Sequence, residues 1–435
     1  MIFTLLLLGV LLVASVPVGM AFGLAGFQFA MANKIPPQTL ASIPYEAVTS
    51  FPLLAIPLFL LMGDLMQQSN LAQQLFDAVS RFVGRLRYSV GYVVIGTCAF
   101  MGAITGSSVA TVTAVGSIIK RPMLERGYPI GYIGALTASA GLLGVLIPPS
   151  IPLIIYGSTA SVSVTELFLS SFVPGVLFVI VFGITHRFMA PRVLRGRGEA
   201  AERGFDGEAT RGKHRWSESM PALLMPVIVL GGIYGGIFTP TEGAAIGSTL
   251  TFIIALLKRQ MTMPKIIASI RTAAVTSGMI FMIFIGADMI NAALALSQLP
   301  NQLAEVIANA DIAPVVVMAA IMVFYIILGA VMDEMSMILL TVPVLFPVIM
   351  GLDFYGLNPS DKALWFGVLI LTVCAIGMIF PPVGLNVYIM NGLAKDVPMI
   401  ETYKGVTLFL AWDFMRLALL ILFPGITLWL VRVLS

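Results

Sequence analysis

Pro148–Pro149 and Pro381–Pro382 each interrupt a long apolar segment, one in each half of the chain. Proline has no backbone N–H and disfavours helix at the residue before it. A proline pair therefore frees the carbonyls upstream of it, in the first half those of Val145 to Ile147. In hydrocarbon, unpaired backbone groups are tolerated only where they line a buried site or a wet cavity. Before each break lies a hairpin-like segment with a small or acidic tip. Residues 102–108 read Gly-Ala-Ile-Thr-Gly-Ser-Ser, and residues 329–336 read Gly-Ala-Val-Met-Asp-Glu-Met-Ser. Two hairpin-and-break units at matching places in two halves are the pattern of a secondary transporter built from inverted repeats.

Composition agrees. Of the 435 residues 59% are hydrophobic and 10% charged, where a soluble domain carries about 25% charge. Apolar runs longer than the roughly 20 residues that cross a bilayer recur from end to end. The expected fold is an all-α polytopic membrane protein with no soluble domain. Met1-Ile-Phe-Thr-Leu has no basic lead, and its apolar run reaches Met31, so it reads as a first span and not a cleaved signal. Cys98 and Cys374 lie in apolar segments and read as small buried hydrophobes, not as a disulfide or metal pair. The formal charge of +3 does not point to nucleic acid, because the basic residues fall between spans.

Spans are expected at 3–31, 51–68, 166–187, 219–238, 241–257, 273–296 and 405–431, with amphipathic connectors at 69–87 and 261–272. Hairpins are expected at 88–119 and 313–350, and broken helices at 128–158 and 363–394. These divide the chain into a first repeat (1–189), a basic cytoplasmic linker (190–216), and a linking span with the second repeat (217–435). Of the 24 lysines and arginines, 20 fall in five segments: 81–87, 120–126, 187–215, 258–271 and 395–404. Placing all five in the cytoplasm makes 88–119 a re-entrant hairpin from the inner side and 313–350 one from the outer side. The N-terminus is then cytoplasmic and the C-terminus periplasmic.

The candidate site residues follow from this layout. Thr105, Gly106, Ser107 and Ser108 offer hydroxyls and free backbone groups, and the helix that starts there points its N-terminal amides at a carboxylate. The carbonyls of Val145 to Ile147 freed at the first break suit a hard cation, as do those freed at Pro381–Pro382, with Asn386 nearby as a polar ligand. Asp333 and Glu334 at the second tip are intramembrane acids and functional candidates by default; solvation at an outer tip is the alternative. Asp64 and Asp288 are left outside the site. Thr239 and Glu242 read as a helix cap, and Asp413 with Arg416 as a local pair. His186 and His214 both read as part of the basic cytoplasmic segment, so no Ser–His pair forms in the membrane. No phosphate loop or ATP-binding domain is present, and energy is expected from an ion gradient.

The motifs Gly102…Thr105-Gly-Ser-Ser108, Gly127-Tyr128, Ala140-Gly-Leu-Leu-Gly144…Ile147-Pro-Pro-Ser150, Tyr156-Gly157, Gly231-Gly232…Gly235-Gly-Ile-Phe-Thr-Pro-Thr-Glu242 and Pro381-Pro-Val-Gly384 stand in one order along the chain. In this the sequence resembles the large membrane subunit of tripartite ATP-independent periplasmic (TRAP) transporters, the DctM-like permeases, over essentially its whole length. The resemblance implies Na⁺-driven import of organic acids across the bacterial inner membrane by an elevator motion. C4-dicarboxylates, sialic acid and other keto or sugar acids are the substrates it allows. It implies a small four-helix membrane subunit (DctQ-like), separate because this chain begins at its first span, and a periplasmic substrate-binding protein (DctP-like). It places Na⁺ between each tip and its break: Gly106, Ser107 and Ser108 with Ile147, Pro148 and Ser150, and Gly329 and Asp333 with Phe380, Pro382 and Asn386. The substrate carboxylate is expected between the tips, at Thr105 to Ser108 and at Ser336. Phe380 stands where the family often has threonine, which removes a hydroxyl from the second ion site. Two rivals stand beside this reading. One is a stand-alone anion symporter. The other is an intramembrane aspartyl protease using Asp64 and Asp288, although no GxGD motif is present.

Overall fold

The computed structural model describes residues 2–195, 216–310, 312–393 and 398–434. Every regular element among them is helical. The chain opens with α1 (Ile2–Val13), α2 (Val18–Ala32), α3 (Pro37–Thr49), a 3-10 turn (Phe51–Leu54), α4 (Ala55–Gln68) and α5 (Leu71–Val83). The first hairpin is α6 (Ser89–Thr105) and α7 (Ser108–Glu125). The first broken helix is α8 (Ile130–Gly141) with α9 (Leu143–Leu146), then α10 (Ile151–Ala160); α11 (Val164–Val193) follows. Next come α12 (Trp216–Tyr234), α13 (Pro240–Leu257), α14 (Met263–Leu296) and α15 (Leu299–Asn309). The second hairpin is α16 (Pro314–Gly329) and α17 (Glu334–Gly351). The second broken helix is α18 (Pro359–Gly377) and α19 (Leu385–Leu393), and α20 (Met399–Leu422) and α21 (Gly425–Leu434) close the chain. Among the described residues, seven helices are long and apolar enough to cross a membrane. The pair bent by 42° at Pro148–Pro149 makes an eighth if it is one span.

Both hairpins and both breaks lie where the sequence puts them; other elements differ. The first span is two helices, because Pro17 has no N–H to continue α1 and Ser15 turns left-handed with φ +60°. At 12 residues, α1 is about 18 Å long and does not cross alone. The connector 261–272 and the span after it are one helix of 34 residues, α14. Lys265 and Arg271 gave 261–272 its polar face, but Pro264 sits in the first turn, where a missing N–H costs nothing. The last span stops at Leu422 before Pro424 and resumes as α21. His186 belongs to α11 and not to the basic linker: it is buried, with Nδ1 2.7 Å from the Tyr132 hydroxyl and Nε2 2.9 Å from the Tyr88 carbonyl. Most of the linker 190–216, including His214, lies outside the described residues; residues 190–193 finish α11.

The two halves use their parts reciprocally. Helix α10 packs on α17 of the other half, and α19 packs on α7. Each hairpin's first arm also crosses its broken helix through glycine on glycine. A Cβ on Gly102 would stand 2.7 Å from the Gly144 Cα, and one on Gly377 would stand 2.6 Å from the Gly329 Cα. Gly144 and Gly377 each lie four residues before their proline pair. Such small-residue crossings let helix backbones approach closely in a membrane, and here they seat each tip against its own break. Helix α18 runs through the centre, buried from Lys362 to Gly377. Tyr156 of α10 donates to the Ala363 carbonyl (2.7 Å), and Trp365 Nε1 donates to the Leu420 carbonyl (2.9 Å). The expected local pair is present: Arg416 Nε donates to Asp413 Oδ1 at 3.1 Å, both side chains wholly buried, with the guanidinium 3.8 Å from the Phe178 ring centre. Thr239 and Glu242 form the expected cap, each accepting from the other's backbone N–H. Cys98 and Cys374 are buried free thiols.

Candidate transport site

The first tip is a reversal that only its own residues permit. Helix α6 ends on Gly106, left-handed at φ +61°, whose N–H donates to the Gly102 carbonyl at 2.9 Å. A Cβ there would be strained and 2.9 Å from the Pro149 carbonyl. Ser107 then caps α7, its hydroxyl accepting from Ala110 N–H. Ser150 caps α10 in the same way, accepting from Leu153 N–H. One bond joins tip to break directly: Ile151 N–H donates to the Gly106 carbonyl at 3.0 Å. Pro148, Pro149 and Ser150 are buried and Ile147 half-buried. Because Pro148 and Pro149 carry no N–H, the carbonyls of Gly144 and Val145 have no donor four residues on. Thr105 Oγ1 meets Thr111 Oγ1 at 3.0 Å, and Thr111 donates to the Ser107 carbonyl at 2.8 Å.

Ser108 does not face Pro148. Its hydroxyl lies 3.3 Å from Met378 Sδ and 3.5 Å from Asn386 Oδ1, both at the second break. Asn386 in turn donates to the Ala138 carbonyl of α8 (3.3 Å). These three residues tie the first hairpin to the second broken helix.

The second tip is built on a carboxylate. Asp333 caps α17: Oδ2 accepts from Met335 and Ser336 N–H at 3.1 Å each, and Oδ1 from the Ser336 hydroxyl at 2.5 Å. Ser336 is thus buried and directed at Asp333. Glu334 is not a solvated tip residue; it is 2% exposed, and its Oε2 has no hydrogen-bond partner. The second break lies nearer the surface than the first: Pro381, Pro382 and Val383 are exposed. Tyr403 of α20 donates toward the carbonyls of Pro382 (3.1 Å) and Val383 (2.6 Å). Phe380 packs edge-on against Phe414, with ring centres 6.4 Å apart.

The tips meet at one cavity of about 570 Å³. Ser107 of the first tip and Asp333, Glu334 and Met335 of the second line it, facing Thr276, Met279 and Ile283 of α14. Its lining residues include no lysine, arginine or histidine. Sequence reasoning missed the α14 wall, because Thr276 is one hydroxyl in a helix with no break to mark it. A second cavity, of about 200 Å³, lies behind Ser107 and is lined by Thr105, Asp64, Gln67, Thr113, Thr272 and Thr276 among others. Asp64, left outside the site by the sequence, therefore stands beside the first tip.

With the tips, breaks and shared cavity in place, comparison with known proteins is decisive. The model of the tripartite ATP-independent periplasmic transporter DctM component matches residues 5–426. The chain belongs to that family. The sialic acid TRAP transporter large permease protein SiaM of Vibrio cholerae is 30% identical over 96% of this chain and 95% of its own length. The isethionate TRAP transporter permease protein DctMQ of Oleidesulfovibrio alaskensis is 32% identical over 88% of this chain, which spans 59% of that relative's length. The YdaH transporter of Alcanivorax borkumensis has the same fold, with a TM-score of 0.62 and 16% identity over 89% of this chain and 87% of its own. As a TRAP large permease the protein is a transporter component and not an enzyme. Geometry also removes the protease reading. Asp64 lies beside Thr276, while Asp288 is 12 residues further along α14, about 18 Å at 1.5 Å per residue. The two carboxyls do not form a dyad.

Proposed function

We propose that this permease imports organic acids by Na⁺ symport, in an elevator motion that carries the two tips and breaks across the bilayer. The observation that carries the reading is the cavity bordered by both tips. In this proposal Na⁺ binds among Gly106, Ser107, Ile147, Pro148 and Ser150, where the break is buried and two helix N-termini start. Ser108 supports the tip from behind through Asn386. A second ion among Gly329, Asp333, Phe380, Pro382 and Asn386 competes with Tyr403 for the Pro382 carbonyl and with the α17 cap for Asp333. The second site is therefore the weaker. The halves are inverted repeats, the N-terminus is cytoplasmic and the C-terminus periplasmic, and the protein sits in the bacterial inner membrane. A small four-helix membrane subunit and a periplasmic binding protein complete the importer.

The cavity also bears on the substrate. Its wall holds five methionines, aliphatic side chains, two carboxylates and the hydroxyls of Ser107 and Thr276. With no fixed cation, a second carboxylate on the substrate would be buried unpaired, which is costly. One carboxylate, held at the N-terminus of α7 beside Na⁺, and an apolar body fit this wall. The test has two parts. Proteoliposomes holding the permease and its small subunit, given the binding protein outside and an inward Na⁺ gradient, should lose uptake when K⁺ replaces Na⁺. Uptake indifferent to Na⁺ would overturn the coupling, and uptake without the binding protein would favour the stand-alone symporter. In Na⁺, 4-methyl-2-oxopentanoate should raise the melting temperature of the detergent-solubilised permease more than succinate or N-acetylneuraminate. The reverse order would sink the substrate reading.

A further inference from the structure

The smaller cavity carries more polar groups in its wall than its neighbour does. Asp64, Gln67, Thr105, Thr113, Thr272 and Thr276 line about 200 Å³ of space between α4, α14 and the first hairpin. Asp64 Oδ2 is buried and has no hydrogen-bond partner. The Ser269 hydroxyl of α14 is also buried without a hydrogen-bond partner. A buried carboxylate oxygen left unsatisfied calls for a physical explanation, and an unseen ion is one. No lysine, arginine or histidine lines the cavity; Arg271, beside Thr272, is exposed and not part of its wall. Carboxylate, amide and hydroxyl oxygens without nitrogen or sulfur ligands suit a hard cation.

We propose that Asp64, with Thr105, Ser107 and Thr276, forms a further sodium site between α4, α14 and the first hairpin. Its position gives it a role. Leu60, Ser107, Val109 and Thr276 line both this cavity and the larger one, so the cation and the acid stand on two sides of one thin wall. A cation here joins helices α4 and α14 to the tip that holds the substrate. It offsets the negative charge of Asp64, and its occupancy is sensed through Ser107. This inference rests on the Na⁺-symport reading but uses residues on α4 and α14 that the tip-and-break sites do not.

The test is Na⁺-dependent thermal stability of the purified permease with its small subunit, NaCl replacing choline chloride at constant ionic strength. Asp64→Asn should raise the Na⁺ concentration for half-maximal stabilisation about tenfold or more, the scale of losing one charged contact. Thr276→Ala, a milder change at another of the proposed ligands, should raise it less, which covers the case where Asp64→Asn fails to fold. If the wild type responds to Na⁺ and both variants respond identically to it, the proposal is wrong while the symport reading stands. If the wild type shows no Na⁺ response, the symport reading fails and this site with it.

Discussion

Replacing Arg416 by methionine should destabilise the protein by about 3–5 kcal/mol, the usual cost of breaking a buried ion pair from one side. Both charges are wholly buried; Arg416 Nε donates to Asp413 Oδ1, while Asp413 Oδ2 and Arg416 Nη1 have no partner. Such a pair is weak evidence of net stability, because taking two ions out of water costs about as much as their attraction returns. Removing one of them leaves the other stranded. The methionine keeps the packing of the long side chain and loses the contact with Phe178, which links α20 to α11. Asp413→Leu in the same chain removes the stranded carboxylate, so the double variant should recover most of the loss. Thermal unfolding in detergent measures both. A double variant no more stable than Arg416→Met would show that the charge pair is not what the single change disturbs.

Asp333→Ala should abolish uptake while lowering stability only by the cost of a lost N-cap, about 0.5–2 kcal/mol. Three bonds go at once, from Met335 N–H, Ser336 N–H and the Ser336 hydroxyl. They hold the start of α17 against the larger cavity. Asp333→Asn separates the roles, because its amide oxygen still caps the helix but carries no charge. If the carboxylate also ligates Na⁺, the Asn variant folds normally and its uptake needs more Na⁺. If its uptake follows Na⁺ like the wild type, Asp333 is a cap alone.

Proline and glycine made the breaks and tips legible, since their backbone constraints act through local sequence. Pro148–Pro149 and Pro381–Pro382 located both broken helices, and Gly106 with Ser107 marked a reversal and a cap. Residues whose roles depend on partners far along the chain were not legible. Ser108 was expected at Pro148 and instead meets Met378 and Asn386, because the halves exchange contacts that no local pattern records. Tyr403 reaches the second break from another helix, and Asp64 looked like one acid near a span end until packing set it beside Thr105 and Ser107. His186 shows the opposite error: flanking arginine assigned it to the basic segment, but Tyr132 and the Tyr88 carbonyl satisfy it in the core.

The central claim is that one substrate touches both tips at once. Cys98 and Cys374 are buried, so a thiol reagent reports mainly on introduced cysteines. Ser107→Cys and Met335→Cys place one on each side of the shared cavity. The rate of modification of each is measured in Na⁺ with and without the acid that best stabilises the permease. Protection of both cysteines by that acid is the predicted result; protection of neither, or of one alone, would contradict a site shared between the tips.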